Sequence, residues 1–201
     1  MNANDNIYLS LEDKEKIIEQ LTHKFYDILK IMKFDVDTDQ QIIDTPKRIA
    51  KSWVNDLFCG CYTAKPKITV FNNEEKIDSM VFLGPIDIKS MCGHHFIPFT
   101  GSAYIAYIPN DKICGISKLA RITNWFMRRP QIQEGLTKQI TDYIEQTLNP
   151  KGVAVYIEAQ HLCMISRGVE QSNSWMKTSE LRGCFKTEPE TRKEFFDMIT
   201  R

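Results

Sequence analysis

The sequence lacks net charge: 26 Lys and Arg balance 26 Asp and Glu over 201 residues, and the pI is near 6.9. With no basic excess, a general nucleic-acid binder is disfavoured, because contacts to a phosphate backbone need one. Long apolar runs are also missing. Residues 93–110 contain no Asp, Glu, Lys or Arg, but two Gly, two Pro and two His make the stretch a poor membrane span. Residues 1–10 show neither the basic nor the apolar region of a secretory leader, so the expectation is a cytoplasmic protein without membrane association. In that reducing compartment Cys59, Cys61, Cys92, Cys114, Cys163 and Cys184 read as core thiols or metal ligands before they read as disulfides. Internal repeats and low-complexity tracts are absent. What is present is an ordinary globular composition, 42% hydrophobic with a mean hydropathy of -0.34, in a chain long enough to bury a core without disulfide staples.

The zero charge is a sum of unlike parts. Residues 1–45 carry ten acidic and five basic side chains, whereas residues 117–138 carry Lys118, Arg121, Arg128, Arg129 and Lys138 against Glu134 alone. A basic cluster of this kind is commonly a solvated helix face. An anionic ligand is the alternative.

Periodicity supplies the elements. Ser10 followed by Asp13 is a capping signal, and Leu11, Ile17, Ile18, Leu21, Phe25, Ile28, Leu29 and Met32 recur at helical spacing. Thr45-Pro46 offers an N-cap with proline at the first helical position and predicts a second helix over about 46–58. Extended segments follow at 68–71, about 80–91 and 102–108. The turn 109–112 predicts that 113–116 pairs back as a hairpin. Leu119, Ile122 and Phe126, then Ile132, Leu136, Ile140, Tyr143, Ile144 and Leu148, predict two helices. Residues 153–158 read as a strand and about 181–186 as a short extended piece, with Thr187 and Glu190 capping a final helix. Helices, a meander, two helices, a strand and a terminal helix make an α+β class, with helices packed on one face of an antiparallel sheet.

The chemistry-bearing residues fall in two clusters. Cys92-Gly93-His94-His95 ends a predicted strand and His161-Leu162-Cys163 follows another, so both can sit at the same end of one sheet. Thiolate and imidazole are donors zinc prefers. Cys92, His95 and Cys163 can supply three ligands and leave one position for water, as in a catalytic site, with His94 and His161 spare as general acid or base. Buried structural Cys and His remain the other reading of the same residues.

These segments resemble the GTP cyclohydrolase I family. The resemblance rests on Asp44-Thr45-Pro46-x-Arg48-x-Ala50-Lys51, Met91-Cys92-x-His94-His95, Gly115-x-Ser117-Lys118-Leu119-Ala120-Arg121 and Arg129-x-Gln131-x-Gln133-Glu134. It continues through Leu136-Thr137-x-Gln139-Ile140, Val153-Ala154-Val155, His161-x-Cys163-x-x-x-Arg167-Gly168 and Thr191-Arg192-x-Glu194-Phe195. It implies the tunnelling fold (T-fold), with residues 1–60 as an N-terminal helical arm and 61–201 as the catalytic domain. A homo-oligomer is implied too, commonly a decamer with active sites at subunit interfaces. The implied reaction converts GTP and water to 7,8-dihydroneopterin triphosphate and formate, by attack of zinc-activated water at guanine C8, imidazole ring opening, ribose rearrangement and pterin closure. The resemblance assigns Zn²⁺ to Cys92, His95 and Cys163, and catalysis to His94 and His161. Substrate binding is assigned to Ser117, Lys118, Arg121, Gln133, Glu134 and Arg167, with Arg48 and Lys51 reaching in from a neighbouring subunit.

Two positions depart from the family pattern. Gly93 stands where Glu is usual, and Gly135 replaces a usual Arg inside a predicted helix. No zinc ligand is lost, but a carboxylate beside a metal site can matter about 10–100-fold. A relative acting on another pterin or deazapurine, and a zinc-bound GTP-binding oligomer weakened in catalysis, are therefore the alternatives.

Overall fold

The computed structural model describes residues 1–200. The chain forms two compact units, one over Met1–Ala64 and the other from Lys65 onward.

In the N-terminal unit, α1 (Leu11–Ile31) begins as its sequence signal requires. Ser10 Oγ accepts the Asp13 backbone N–H at 3.0 Å, a cap that typically contributes about 1 kcal/mol. The second helix starts one residue earlier than expected. Thr45 is the first residue of α2 (Thr45–Ser52), Asp44 occupies the cap position, and no side chain caps the end. From Trp53 to Leu57 the helix widens into a π turn, closed by the Phe58 N–H on Trp53 O at 2.9 Å, before the short α3 (Cys59–Tyr62). Trp53 meets Phe25 of α1 edge to face at 5.0 Å and so locks the helix pair.

The second unit is a sheet with helices. Its strands are β1 (Val70–Asn72), β2 (Val81–Cys92), β3 (Pro98–Ile108), β4 (Lys112–Cys114), β5 (Pro130–Gln131), β6 (Gly152–His161) and β7 (Met176–Gly183). Its helices are α4 (Ile116–Met127), α5 (Gln133–Leu148), the single turns α6 (Leu162–Ile165) and α7 (Cys184–Thr187), and α8 (Pro189–Ile199). The main sheet runs β5-β2-β3-β6-β7, antiparallel except for the two-residue β5, which lies parallel to the end of β2. Residues 112–114 pair with β1 and do not fold back on β3 as a hairpin. Both edges of β3 are already taken, by β2 on one side and β6 on the other, so the returning segment had to find another strand.

Leu119, Ile122 and Phe126 of α4 and Leu136, Ile140, Ile144 and Leu148 of α5 pack on Ile105, Val153, Val155 and Ile157 of the sheet. Each such fully buried aliphatic side chain stabilises the fold by about 1.5–3 kcal/mol. The two long helices thus share one face. The C-terminal segment covers part of the other, where Phe185 and Phe195 bury Ala106, Ala154 and Tyr156. The terminal helix starts at Pro189 with Glu188 at its cap, and the expected Thr187 cap is not formed; Thr187 ends α7 instead.

β7 starts five residues before the extended piece that the sequence suggested and pairs with β6 from Ala159↔Met176 to Gly152↔Gly183. Its polar composition hid it. Arg182, whose side chain is 21% exposed, meets Asp142 and Glu145 of α5 and Glu180 of its own strand, so a cation stands where an alternating strand would carry an apolar residue. At Gly101 the strands β3 and β6 come too close for any side chain. A Cβ there would lie 2.6 Å from Ala159 Cα and 2.8 Å from its Cβ, and nearer still to Glu158 O.

Candidate metal centre and active site

Strand direction gathers the site. β2 and β6 are both antiparallel to β3, so Cys92 and His161, their last residues, finish at the same end of the sheet. β5 joins there through Cys92↔Gln131, α5 begins two residues later, and β7 enters opposite Ala159.

The turn after β2 is tight. Cys92 N–H donates to Ile97 O at 2.9 Å, Phe96 N–H to Cys92 O at 2.8 Å and Gly93 N–H to Gln131 O at 2.8 Å. This turn leaves His94 and His95 exposed beside the buried Cys92. After β6 the chain switches to helix, and Cys163 lies on the single turn of α6. The ligand atoms of Cys92, His95 and Cys163 all lie within 4.8 Å of one another. Zn–S and Zn–N bonds of about 2.3 and 2.0 Å in a tetrahedron separate ligand atoms by about 3.5–3.8 Å, so this donor set fits zinc with little closure. Three protein donors leave a fourth position open, the arrangement of a catalytic site. Burial pushes the Cys163 thiol up, its hydrogen bond with Cys92 adds to this, and the charge of Arg167 opposes it.

A cavity of about 350 Å³ opens on this group, within the size range of small-molecule sites. His94 and His161 line it with the three candidate ligands, and Met164, Trp175 and Met176 supply apolar wall. Cys92 Sγ and His94 Nδ1 are 3.9 Å apart. Phe99 stacks on the His161 ring at 4.5 Å with a 9° interplanar angle. Burial holds the His161 imidazole below its ordinary pKa, and the negative charge of Glu134 works the other way.

The remaining expected site residues are less closely gathered. Gln133 is 1% exposed and bonded to His161 at 2.9 Å. Glu134 lies exposed in the first turn of α5. Lys138, one helical turn further on, pairs with Asp142 at 2.7 Å, and Glu134 has no ion pair among the described residues. Ser117, Lys118 and Arg121 lie in the N-terminal half of α4, and Arg167 in the exposed segment after α6; none of the four lines the cavity. Arg48 and Lys51 lie on α2 of the N-terminal unit, where Arg48 pairs with Asp44 at 3.1 Å. Arg129 of the basic stretch is buried, its guanidinium 3.8 Å above the Trp125 ring. Among the cavity-lining residues, Trp175 and Met176 were not singled out as site residues in the sequence. Their signal is weak, an aromatic and a thioether at the start of a polar strand.

Residues 21–200 match the family model described as GTP cyclohydrolase I. The chain is similar to the GTP cyclohydrolase 1 of Aeromonas salmonicida, at 45% identity over 84% of this chain and 77% of that protein. It is similar to the GTP cyclohydrolase 1 of Shewanella baltica at 44% identity, over 94% of this chain and 86% of the relative. A solved structure, the archaeosine synthase QueF-Like in its apo form, resembles it with a TM-score of 0.43 at 16% identity, over 52% of this chain and 94% of its own. A family match across nearly the whole chain, on an antiparallel sheet whose ends gather two Cys and three His, makes this protein a member of the GTP cyclohydrolase I family.

Proposed function

We propose that this enzyme converts GTP and water to 7,8-dihydroneopterin triphosphate and formate, with zinc as its cofactor held by Cys92, His95 and Cys163. The observation that carries this reading is the convergence of those three donors on a cavity that His94 and His161 also line. When bound, zinc supplies the Lewis acidity that lets water act as a nucleophile near neutral pH, lowering its pKa to about 7.

The chain's own residues do the rest. His161, whose cation is disfavoured by burial, gives and takes the proton that opens the purine ring. His94, at the exposed rim, serves proton traffic around C8 and the ribose. Each positioned acid–base group is typically worth about 10²–10⁴ in rate. The free carboxylate of Glu134 accepts from guanine N1–H and the 2-amino group, whereas adenine presents an acceptor at N1. Lys118, Arg121 and Arg167, with Ser117, take triphosphate oxygens, and Arg48 and Lys51 of a neighbouring copy add to them.

The assembly that supplies such a neighbour is, in this reading, a closed ring, with ten copies as the expected number. Two features support it. The outer edge of β7, and that of β2 over residues 81–90, have no strand partner among the described residues. Long open edges of this kind invite pairing with another copy.

The test incubates zinc-loaded protein with GTP and measures formate together with neopterin fluorescence after oxidation and dephosphorylation. Both products are expected in equal amounts. Formation of neither, with GTP bound, would replace this reading by a binding role. Light scattering of the eluting protein tests the ring, and a monomer would refute it.

A further inference from the structure

We propose that Gln133 is a positioning residue that fixes neutral His161 as the Nε2–H tautomer, so that His161 exchanges protons through Nδ1 alone. The proposal rests on the reading of His161 as the acid–base group given above.

The argument starts from the direction of one amide. Gln133 Nε2 lies 3.0 Å from Ile157 O and 3.1 Å from Met176 O. Both are backbone carbonyls and can only accept, so the NH₂ end of the amide must face them. A third neighbour, Thr178 Oγ1 at 3.1 Å, agrees. Thr137 Oγ1 donates its one proton to Gln133 O at 2.8 Å, so the 2.7 Å contact between the two threonines requires Thr178 to be the donor. The lone pairs of Thr178 Oγ1 are then left to face Gln133 Nε2. Turning the amide over would set its oxygen against two carbonyls inside a site that is 1% exposed.

With the amide fixed, Oε1 is the atom that meets His161 Nε2 at 2.9 Å. A carbonyl oxygen can only accept, so the ring must carry its proton on Nε2, and the basic lone pair is on Nδ1. Phe99, stacked 4.5 Å from the ring at 9°, holds the plane in which this hydrogen bond is made. Both amide hydrogens of Gln133 are engaged with protein acceptors. Its role is therefore to hold His161 and not to contact the base, which departs from the substrate-binding role that the family resemblance implies for this position.

The chain has four histidines, so side-chain ¹⁵N spectra of zinc-loaded, histidine-labelled protein are tractable, with a His161→Ala sample to assign the signal. Neutral His161 is expected as a single Nε2–H form; an Nδ1–H form overturns the proposal without any kinetics. Gln133→Met keeps the volume and removes the acceptor. It should give mixed tautomers and lower kcat about 10–100-fold, with KM within about twofold and zinc content unchanged. A variant whose KM rises while kcat and tautomer stay as in the parent would instead make Gln133 a substrate contact. If the parent protein releases no formate from GTP, the functional reading fails, and the spectra still decide the hydrogen bond.

Discussion

Replacing Gly101 by Ala tests whether the site depends on the closeness of β3 and β6. The added Cβ would stand 2.6 Å from Ala159 Cα and 2.8 Å from its Cβ, against an ordinary contact distance of at least 3.4 Å. The strands must separate locally by more than about 0.8 Å, since Glu158 O would lie nearer still, and none of these neighbours is a flexible side-chain tip that can move aside. Overpacking of this sort costs about 1–3 kcal/mol, and weakening two ladder hydrogen bonds beside Gly101↔Ala159 adds about 1 kcal/mol each. The sum is about 3–5 kcal/mol, which corresponds to a fall in Tm of roughly 6–20 °C for a chain of this size. Because Phe99, two residues away, stacks on His161, the variant should also lose activity at temperatures where it is still folded. Gly93→Ala is the matched control. Its Cβ would find its nearest atoms at 3.6–3.7 Å, so stability within about 0.5 kcal/mol of the parent is expected. The assay is thermal and urea unfolding followed by circular dichroism at one fixed protein concentration, with formate release alongside. A Gly101→Ala protein within 1 kcal/mol of the parent would refute the close-approach argument.

Four further outcomes follow from other parts of the molecule. Cys163→Ala should lose bound zinc, read by elemental analysis, together with activity; full zinc occupancy would remove Cys163 from the donor set. Glu134→Gln should cut kcat/KM for GTP about 10²–10³-fold, the loss of two charge-assisted hydrogen bonds of about 1.5–3 kcal/mol each, not fully additive; an unchanged value would leave guanine to another residue. Burial alone would raise the Asp142 carboxyl, but hydrogen bonds from Lys138 and Arg182 pull it below the ordinary carboxylate range. Its contribution is present above the unfolded pKa of about 3.9 and is lost as pH falls through the lower folded value. Arg182→Met should therefore cost about 1–3 kcal/mol at pH 7, and denaturant melts should show the gap to the parent narrowing below about pH 4; a gap that widens in acid contradicts this. Trp175, 52% exposed on the cavity wall, should change its fluorescence on GTP addition, and Trp175→Ala should raise KM about 5–150-fold for a stacking contact of about 1–3 kcal/mol; no change in either would place Trp175 outside the substrate's reach.

The parts of the fold that were legible in the sequence are those written in apolar periodicity. Leu119, Ile122 and Phe126, and Leu136, Ile140 and Ile144, announce the two helices that cover the sheet, and all six are buried in one cluster. β7 was only partly legible, because its inward position at Arg182 is filled by a cation matched to carboxylates on α5, a pairing that no local pattern records. The partner of residues 112–114 was illegible for a topological reason: both edges of β3 are occupied by strands before and after it in the chain. In the site, Cys-x-x-His and His-x-Cys carry their chemistry in residue type, so their meeting at one sheet end could be anticipated from strand ends alone. Gln133 could not be read this way. A glutamine has no preferred chemistry until its surroundings fix which end of the amide faces which neighbour, and those surroundings come from β6, β7 and α5 together.

The short parallel strand β5 and the start of α5 restrict how this segment can change over time. From Gln131 to Glu134 the chain alternates: Gln131 and Gln133 are 1% exposed and brace the interior, while Ile132 at 47% and Glu134 face outward. Gln131 reaches Phe126 O at 2.7 Å and Gln139 Oε1 at 3.1 Å, as Gln133 reaches His161. Gln131 and Ile132 take opposite sides as extended residues do, and the first turn of α5 then sets Gln133 inward and Glu134 outward. Loss or gain of one residue between Pro130 and Gln133 would either pull Gln131 out of register with Cys92 or turn the start of α5 by about 100°, and the second would carry the brace of His161 away from its partners. Substitutions can drift here one at a time, but the length of the segment cannot.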